Sequence, residues 1–252
     1  SRAVVLRKPP LVDAVDNAGF EQPPSPDGQI AGWASRSEPG VVVALDAACK
    51  RVGNYSARLN SRGPTASLVS RPFDPPSTGR LTMSVWLRSA EGSEPPPLEV
   101  VLEGYHQGRY FSRYAQPTVS TDWGSFPFVV RVDDLPLEGL SRLRIRFDLT
   151  GPGEVWIDDV RLSDLEFSKA ENSALLKLIL PADGKLENRQ VRDCIHLLEG
   201  YWPRFLMANV AVRETSVSER PLPPPRELDD PPTDPGWIDR MKAFVPRRLR
   251  FF

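Results

Sequence analysis

The chain has 252 residues, 40% of them hydrophobic and 26% charged, which is the composition of a globular protein large enough to bury a substantial core. A formal net charge of −1 leaves no global field to draw it onto nucleic acid or an anionic membrane. No apolar run approaches the ~20 residues of a bilayer-spanning helix, and the N-terminus lacks the apolar core of a signal peptide.

Proline is frequent at 27 residues and clusters at 23–26, 72–76, 95–97, 221–225 and 231–235, marking loops and linkers. Residues 1–14 read as an N-terminal arm. From Val15, short runs rich in Val, Leu, Phe and Trp alternate with Gly, Pro, Asn and Asp, the pattern of an antiparallel all-β domain extending to about residue 165. Period-two alternation is clear in three runs. Met83, Val85 and Leu87 oppose Ser84, Trp86 and Arg88. Leu98, Val100 and Leu102 oppose Glu99, Val101 and Glu103. Leu143, Ile145, Phe147 and Leu149 oppose Arg144, Arg146 and Asp148. Further strands are predicted at 40–46, 54–60, 66–71, 109–115, 125–132 and 154–162. About eight to ten strands fit a two-sheet sandwich, with the apolar sides of 81–89 and 143–149 facing each other.

After Leu162 the period becomes helical. Leu175, Leu176, Ile179 and Leu180 share one face, as do Val191, Cys194, Ile195 and Leu198. Ser168 and Glu171 form a capping box. Pro181 and Gly184 should kink or end the first helix, and Gly200 with Pro203 should end the second. An αα-hairpin over 166–210 is predicted, with His196 half-buried. Residues 211–252 read as a Pro-rich linker and a basic, aromatic tail. Trp237, Met241 and Phe244 there are interleaved with Arg240, Lys242, Arg247, Arg248 and Arg250. The hairpin and the 237–252 segment are candidates for a protein partner, and the basic, aromatic tail also for a membrane surface or an anionic polymer, set against the tail packing back on the body.

Six short motifs in order resemble the carbohydrate-binding modules of galactose-binding-like type. They are Asn17–Glu21, Gly32-Trp33, Gly53–Leu59, Leu81–Arg88, Thr121–Trp123 and Glu154–Leu162, across about 60% of the chain. The resemblance implies a mainly β, two-sheet antiparallel jelly-roll sandwich, followed here by the helical hairpin and Pro-rich tail. It also implies an extracytoplasmic location (secreted, periplasmic or cell-surface). The function it implies is a non-catalytic module for glycan or cell-surface attachment. Two alternatives stand beside it: a structural or protein-interaction domain that has lost sugar binding, and an accessory domain of a larger glycan-active enzyme.

Two sites follow from the resemblance. A structural Ca²⁺ would bind Glu21, one carboxylate of Asp158-Asp159 and backbone carbonyls near Lys50–Gly53. Alternation puts Asp158 inward with Val160 and Leu162 and Asp159 outward with Arg161, so Asp158 is the expected metal ligand; a carboxylate that only accepts backbone hydrogen bonds is the other reading. A sugar would stack on exposed aromatics and bind polar side chains. The candidates are Trp86 and Arg88, then Tyr105, His106, Gln107 and Tyr110 in a cluster that includes Arg109 and Tyr114, with Arg144 and Arg146. The alternative is a salt-bridged face serving only packing. No nucleophile elbow, HExxH or phosphate-binding glycine loop is present, so no catalytic residue is assigned. Cys49 and Cys194 read as free thiols.

Overall fold

The computed structural model describes residues 11–36, 38–91 and 94–210. The first ten residues of the arm and the whole of 211–252 lie outside the described residues, and with them the predicted linker and the proposed partner contact of 237–252.

Ten antiparallel strands form two five-stranded sheets. In chain order they are β1 (Trp33–Ser35), β2 (Val41–Asp46), β3 (Ser56–Ser61), β4 (Ala66–Ser70), β5 (Leu81–Ser89), β6 (Leu98–His106), β7 (Arg109–Ala115), β8 (Phe128–Val132), β9 (Leu140–Leu149) and β10 (Gly153–Ser163). The first sheet runs β1-β4-β9-β6-β7 and the second β2-β3-β10-β5-β8, a jelly-roll sandwich. Strand β1 had no signal of its own in the sequence, because a three-residue edge strand is too short to show a period.

The alternating runs behave as period two requires. Met83, Val85 and Leu87 from the second sheet meet Val100, Leu102, Ile145 and Phe147 from the first in one continuous core. Trp33 closes one end of that core, its ring 5.1 Å from Phe20 and 5.9 Å from Phe147.

Three helices follow: α1 (Lys169–Glu187), α2 (Val191–Leu198) and α3 (Tyr201–Asn209). The capping box is present, with the Ser168 hydroxyl accepting from Glu171 N and Glu171 accepting from Ser168 N. Pro181 does not end α1. It forfeits one backbone hydrogen bond, yet the following turn is held across to α2 by Cys194 Sγ against Ala182 O at 3.4 Å and by Lys185 with Asp193 at 2.8 Å. Pro203, expected beyond the last helix, sits in the first turn of α3, where a missing N–H costs no intrahelical bond. The stop signal at Gly200 therefore separates two helices, and the predicted hairpin has a third member.

Most of the apolar helical stripe is not covered. Leu175, Cys194 and Leu206 are buried, while Leu176, Leu180, Ile195 and Met207 are exposed. His196 is also exposed, contrary to expectation, beside Glu199. A second small core of Leu165, Phe167, Leu175, Leu206 and Val210, with Trp202 and Phe205, joins the helices to the end of β10.

Candidate functional site

The outer face of the first sheet carries a cleft of about 950 Å³. Its wall is the 25–36 segment leading into β1, and its floor comes from Ser67 and Val69 on β4, Arg144 and Arg146 on β9, and Glu103 on β6. The register explains this floor. Val69 lies opposite Arg146, Ser67 opposite Asp148, Arg144 opposite Glu103 and Arg146 opposite Val101, so these side chains stand in rows on one face.

Glu103 is the hub. It is only 3% exposed although it faces outward. Its Oε1 lies 2.8 Å from Arg144 Nη2, and its Oε2 lies 3.0 Å from Arg146 Nη1 and accepts from Tyr110 Oη at 2.8 Å. Burial and the hydrogen bond to Glu103 push the Tyr110 phenol up, keeping it a donor. Asp148 is similarly occupied: its Oδ1 accepts from Ser67 Oγ at 2.6 Å, and its Oδ2 lies 2.9 Å from Arg146 Nε. That last contact lacks hydrogen-bond alignment and is an ion pair only. Glu99, further along β6, accepts from Gln116 Nε2 at 2.7 Å.

Beside this floor, on the β6–β7 hairpin, stand Tyr105, Tyr110 and Tyr114. All three are exposed, Tyr114 by 71%. Tyr110 and Tyr114 are four residues apart on one strand and share its face, and Tyr105 pairs with Tyr110, ring centroids 6.5 Å apart. Thus Tyr105, Tyr110, Arg144 and Arg146 are brought together. Gln107 is instead in the tight turn between β6 and β7 at φ +50°. His106 falls on the opposite face of β6 from Tyr105 by alternation, across from Leu140.

Trp86 and Arg88 belong to the other sheet, on its outer face. Trp86 is half-buried, with the Arg51 guanidinium 4.4 Å from its ring centroid. Arg88 donates to Thr121 O at 2.9 Å and reaches Cys49 Sγ at 3.5 Å. The two sheets' outer faces lie on opposite sides of the core, so Trp86 and the tyrosines cannot form one platform.

Asp158 corrects the alternation argument. Strand β10 has a bulge: Asp158 pairs with Trp86 and Arg161 with Ser84, three residues against two, with Asp159 at φ +51°. Asp158 therefore shares Trp86's outer face rather than the core side of Val160 and Leu162, and Asp159 occupies the bulge, ion-paired with Arg161 at 2.9 Å. Asp158 is nonetheless 0% exposed, because the 47–55 loop lies over it. Its Oδ2 accepts from Arg51 N at 2.6 Å and Val52 N at 3.0 Å, while Oδ1 is buried without a partner. Burial raises its pKa above the usual carboxylate value, the backbone N–H groups of Val52, Arg51 and Asp159 pulling the other way.

Glu21 reaches the same loop, with Oε2 accepting from Asn54 N at 2.7 Å and Asn54 Nδ2 at 3.1 Å. Gly53 is required there: at φ +69°, a Cβ would fall 2.0 Å from Glu21 Oε1. Among the described residues no three His, Cys, Asp or Glu side chains converge, so any ion held by Glu21 and Asp158 would need backbone or water oxygens as well.

The sequence offered Glu103 as an outward sheet charge and, with Glu99, as two carboxylates on one face that neighbouring arginines would neutralise, not as the hub of the floor. It offered no sign that residues 25–36 would wall a cleft, since the loop meets the sheet only through tertiary placement. Tyr114 was legible, four residues beyond Tyr110 on a strand.

No protein-family model matches the chain, and no curated protein matches it. Solved structures resemble the sandwich region at low identity. The CBM22-1–CBM22-2 tandem domain of Paenibacillus barcinonensis Xyn10C is 19% identical over 62% of this chain and 50% of its own, TM-score 0.45. TmCBM61 in complex with β-1,4-galactotriose is 16% identical over 61% and 99%, TM-score 0.40. The enzymatically active domain of bacteriophage CBA120 tailspike protein 4 is 15% identical over 60% and 21%, TM-score 0.45, so this chain spans about a fifth of that protein.

Proposed function

We propose that this protein is a non-catalytic glycan-binding module acting through the cleft on the outer face of β4, β9 and β6. One observation carries the reading: a cleft of about 950 Å³ with a hydrogen-bonding floor, and beside that floor three exposed tyrosines on the β6–β7 hairpin. Its volume lies in the ~300–1,000 Å³ range of small-molecule sites, and rigid aromatics beside polar groups suit a sugar's apolar ring faces and equatorial hydroxyls. The floor carboxylates support binding over catalysis. Both oxygens of Glu103 are committed to Arg144, Arg146 and Tyr110, and Glu99 to Gln116, so neither is presented as a free acid or base. An extracytoplasmic location accords with this role.

The test is affinity-gel electrophoresis over a panel of soluble polysaccharides. Replacing Tyr110 and Tyr114 together by Ala should weaken the best ligand roughly tenfold or more, the worth of burying about one aromatic face. Trp86→Phe should leave it unchanged. Undiminished affinity in the double variant would remove the tyrosines as the platform.

A second element of the reading is a structural Ca²⁺ held by Glu21 and Asp158. The unpartnered, fully buried Asp158 Oδ1 supports it, as does Glu21 reaching the same loop with a second carboxylate. Such an ion would tie the N-terminal segment to β10 and the 47–55 loop.

A further inference from the structure

We infer that the ligand of the cleft is an acidic glycan, a polysaccharide bearing uronate carboxylates. The inference rests on the glycan-binding reading above and adds the ligand's charge.

The argument is a donor and acceptor census of the floor. Glu103 spends Oε1 on Arg144 and Oε2 on Arg146 and Tyr110, and it is 3% exposed. Asp148 spends Oδ1 on Ser67 and Oδ2 beside Arg146 Nε, and its side chain is 11% exposed. Both floor carboxylates are thus buried beneath the groups they orient and offer the cleft no free acceptor. The guanidiniums above them remain open, the Arg144 and Arg146 side chains 36% and 31% exposed. Among the described residues Arg144 pairs with Glu103 alone, through Nη2, which leaves donors over.

The rim continues the pattern. Arg36 lines the cleft with no ion-pair partner among the described residues, and Arg71 has only a 3.3 Å contact with the exposed Asp16. Arg36, Arg71, Arg144 and Arg146 line the cleft against Asp27, Glu103 and the underlying Asp148, a local net charge of +1 on a chain whose whole net charge is −1. Asp27 is exposed at the mouth and already accepts from Ser25.

A neutral sugar hydroxyl both donates and accepts, whereas the charged groups of this floor offer the cleft donors only. A carboxylate accepts only, and a guanidinium's planar fork matches it with two parallel hydrogen bonds. Two guanidiniums held by a buried acid are therefore pre-organised for a uronate, with less side-chain entropy to lose on binding.

The test uses the full chain with polygalacturonate and alginate against neutral galactan and dextran, with dextran sulfate and polyglutamate as charge controls. Carboxylated polysaccharides should bind about ten- to a hundredfold more tightly than the neutral ones, and the advantage should shrink with added salt. Arg144→Gln should abolish the preference, bringing the affinities for carboxylated and neutral polysaccharides together. Should Arg144→Gln fail to fold, because Glu103 loses a partner, Arg36→Gln disturbs no described ion pair and should reduce the preference in the same direction. Equal affinity for galactan and polygalacturonate would overturn the acidic ligand and leave the glycan reading standing. Absence of binding to any polysaccharide would overturn both. Polyglutamate or dextran sulfate binding as tightly as polygalacturonate would reduce the cleft to a general anion patch and overturn the uronate assignment.

Discussion

Asp158 is buried as expected, but on the other face of its strand and for another reason. Alternation sends it to the core, the bulge at Asp159 sends it outward, and the 47–55 loop buries it all the same. Burying that carboxylate raises its pKa, so the folded protein holds its proton more tightly than the unfolded chain does. The sign follows: this group's penalty on stability grows as pH rises from its ordinary 3.8 through the raised folded value, and is fully present above it. A divalent cation would remove it. Calcium at a hundred times its dissociation constant adds about 2.7 kcal/mol, which for this chain length is roughly 5–10 °C in Tm. We expect that rise at pH 7 by scanning calorimetry, its reversal by EDTA, and its absence in Asp158→Asn. A Tm indifferent to calcium and EDTA would leave Asp158 as a backbone acceptor only.

Among the elements, attachment of the helices depends on one buried arginine. Arg80, at the start of β5, donates Nη1 and Nη2 to the two oxygens of Glu171 at 2.8 and 3.0 Å, and Nη2 lies 2.9 Å from Asp133. Its guanidinium also lies 5.3 Å from the Phe167 ring centroid and 5.8 Å from that of Trp202. Glu171 thus serves twice, as the capping-box acid of α1 and as the anchor to the sandwich. Removing one partner of a buried pair costs ~3–5 kcal/mol, and partly exposed Glu171 and half-exposed Asp133 place Arg80→Ala near the lower end of that range. Hydrogen exchange should then accelerate across 169–209 while β4, β6 and β9 keep their protection. Unchanged exchange in the helices would show that Phe167, Trp202 and Phe205 suffice to hold them. For Glu171, burial pushes the pKa up, but Arg80 and the Ser168 N–H outweigh it and the net shift is downward. Its contribution is therefore present above about 4.5 and lost as pH falls through the depressed value.

At the largest scale, the described residues form two cores of unequal size. The large one lies between the sheets, and the small one joins the helices to Leu165 and Phe167. Every strand among the described residues ends by Ser163, so a chain stopping at Glu166 retains those ten strands and the cleft's lining. It should unfold cooperatively in denaturant, with strand-dominated circular dichroism and the glycan affinity of the longer chain. Loss of folding in that truncation would make the helices part of the sandwich's cooperative unit rather than an addition to it.

The sequence by itself determined the class of fold, most of the strand positions, and which residues of β5, β6 and β9 face the core. Period-two alternation is a local property, and one buried face enforces it. It also located Tyr105, Tyr110, Arg144 and Arg146 as outward groups. Tertiary structure alone decided that these four share a sheet while Trp86 and Arg88 lie on the other, that residues 25–36 wall the cleft, and that Glu103 is buried among arginines. Each of those outcomes is set by strand order and loop placement, which depend on contacts between residues far apart in the chain. The bulge in β10 belongs with them. One extra residue reverses every face beyond it, and no periodicity reveals where the insertion falls.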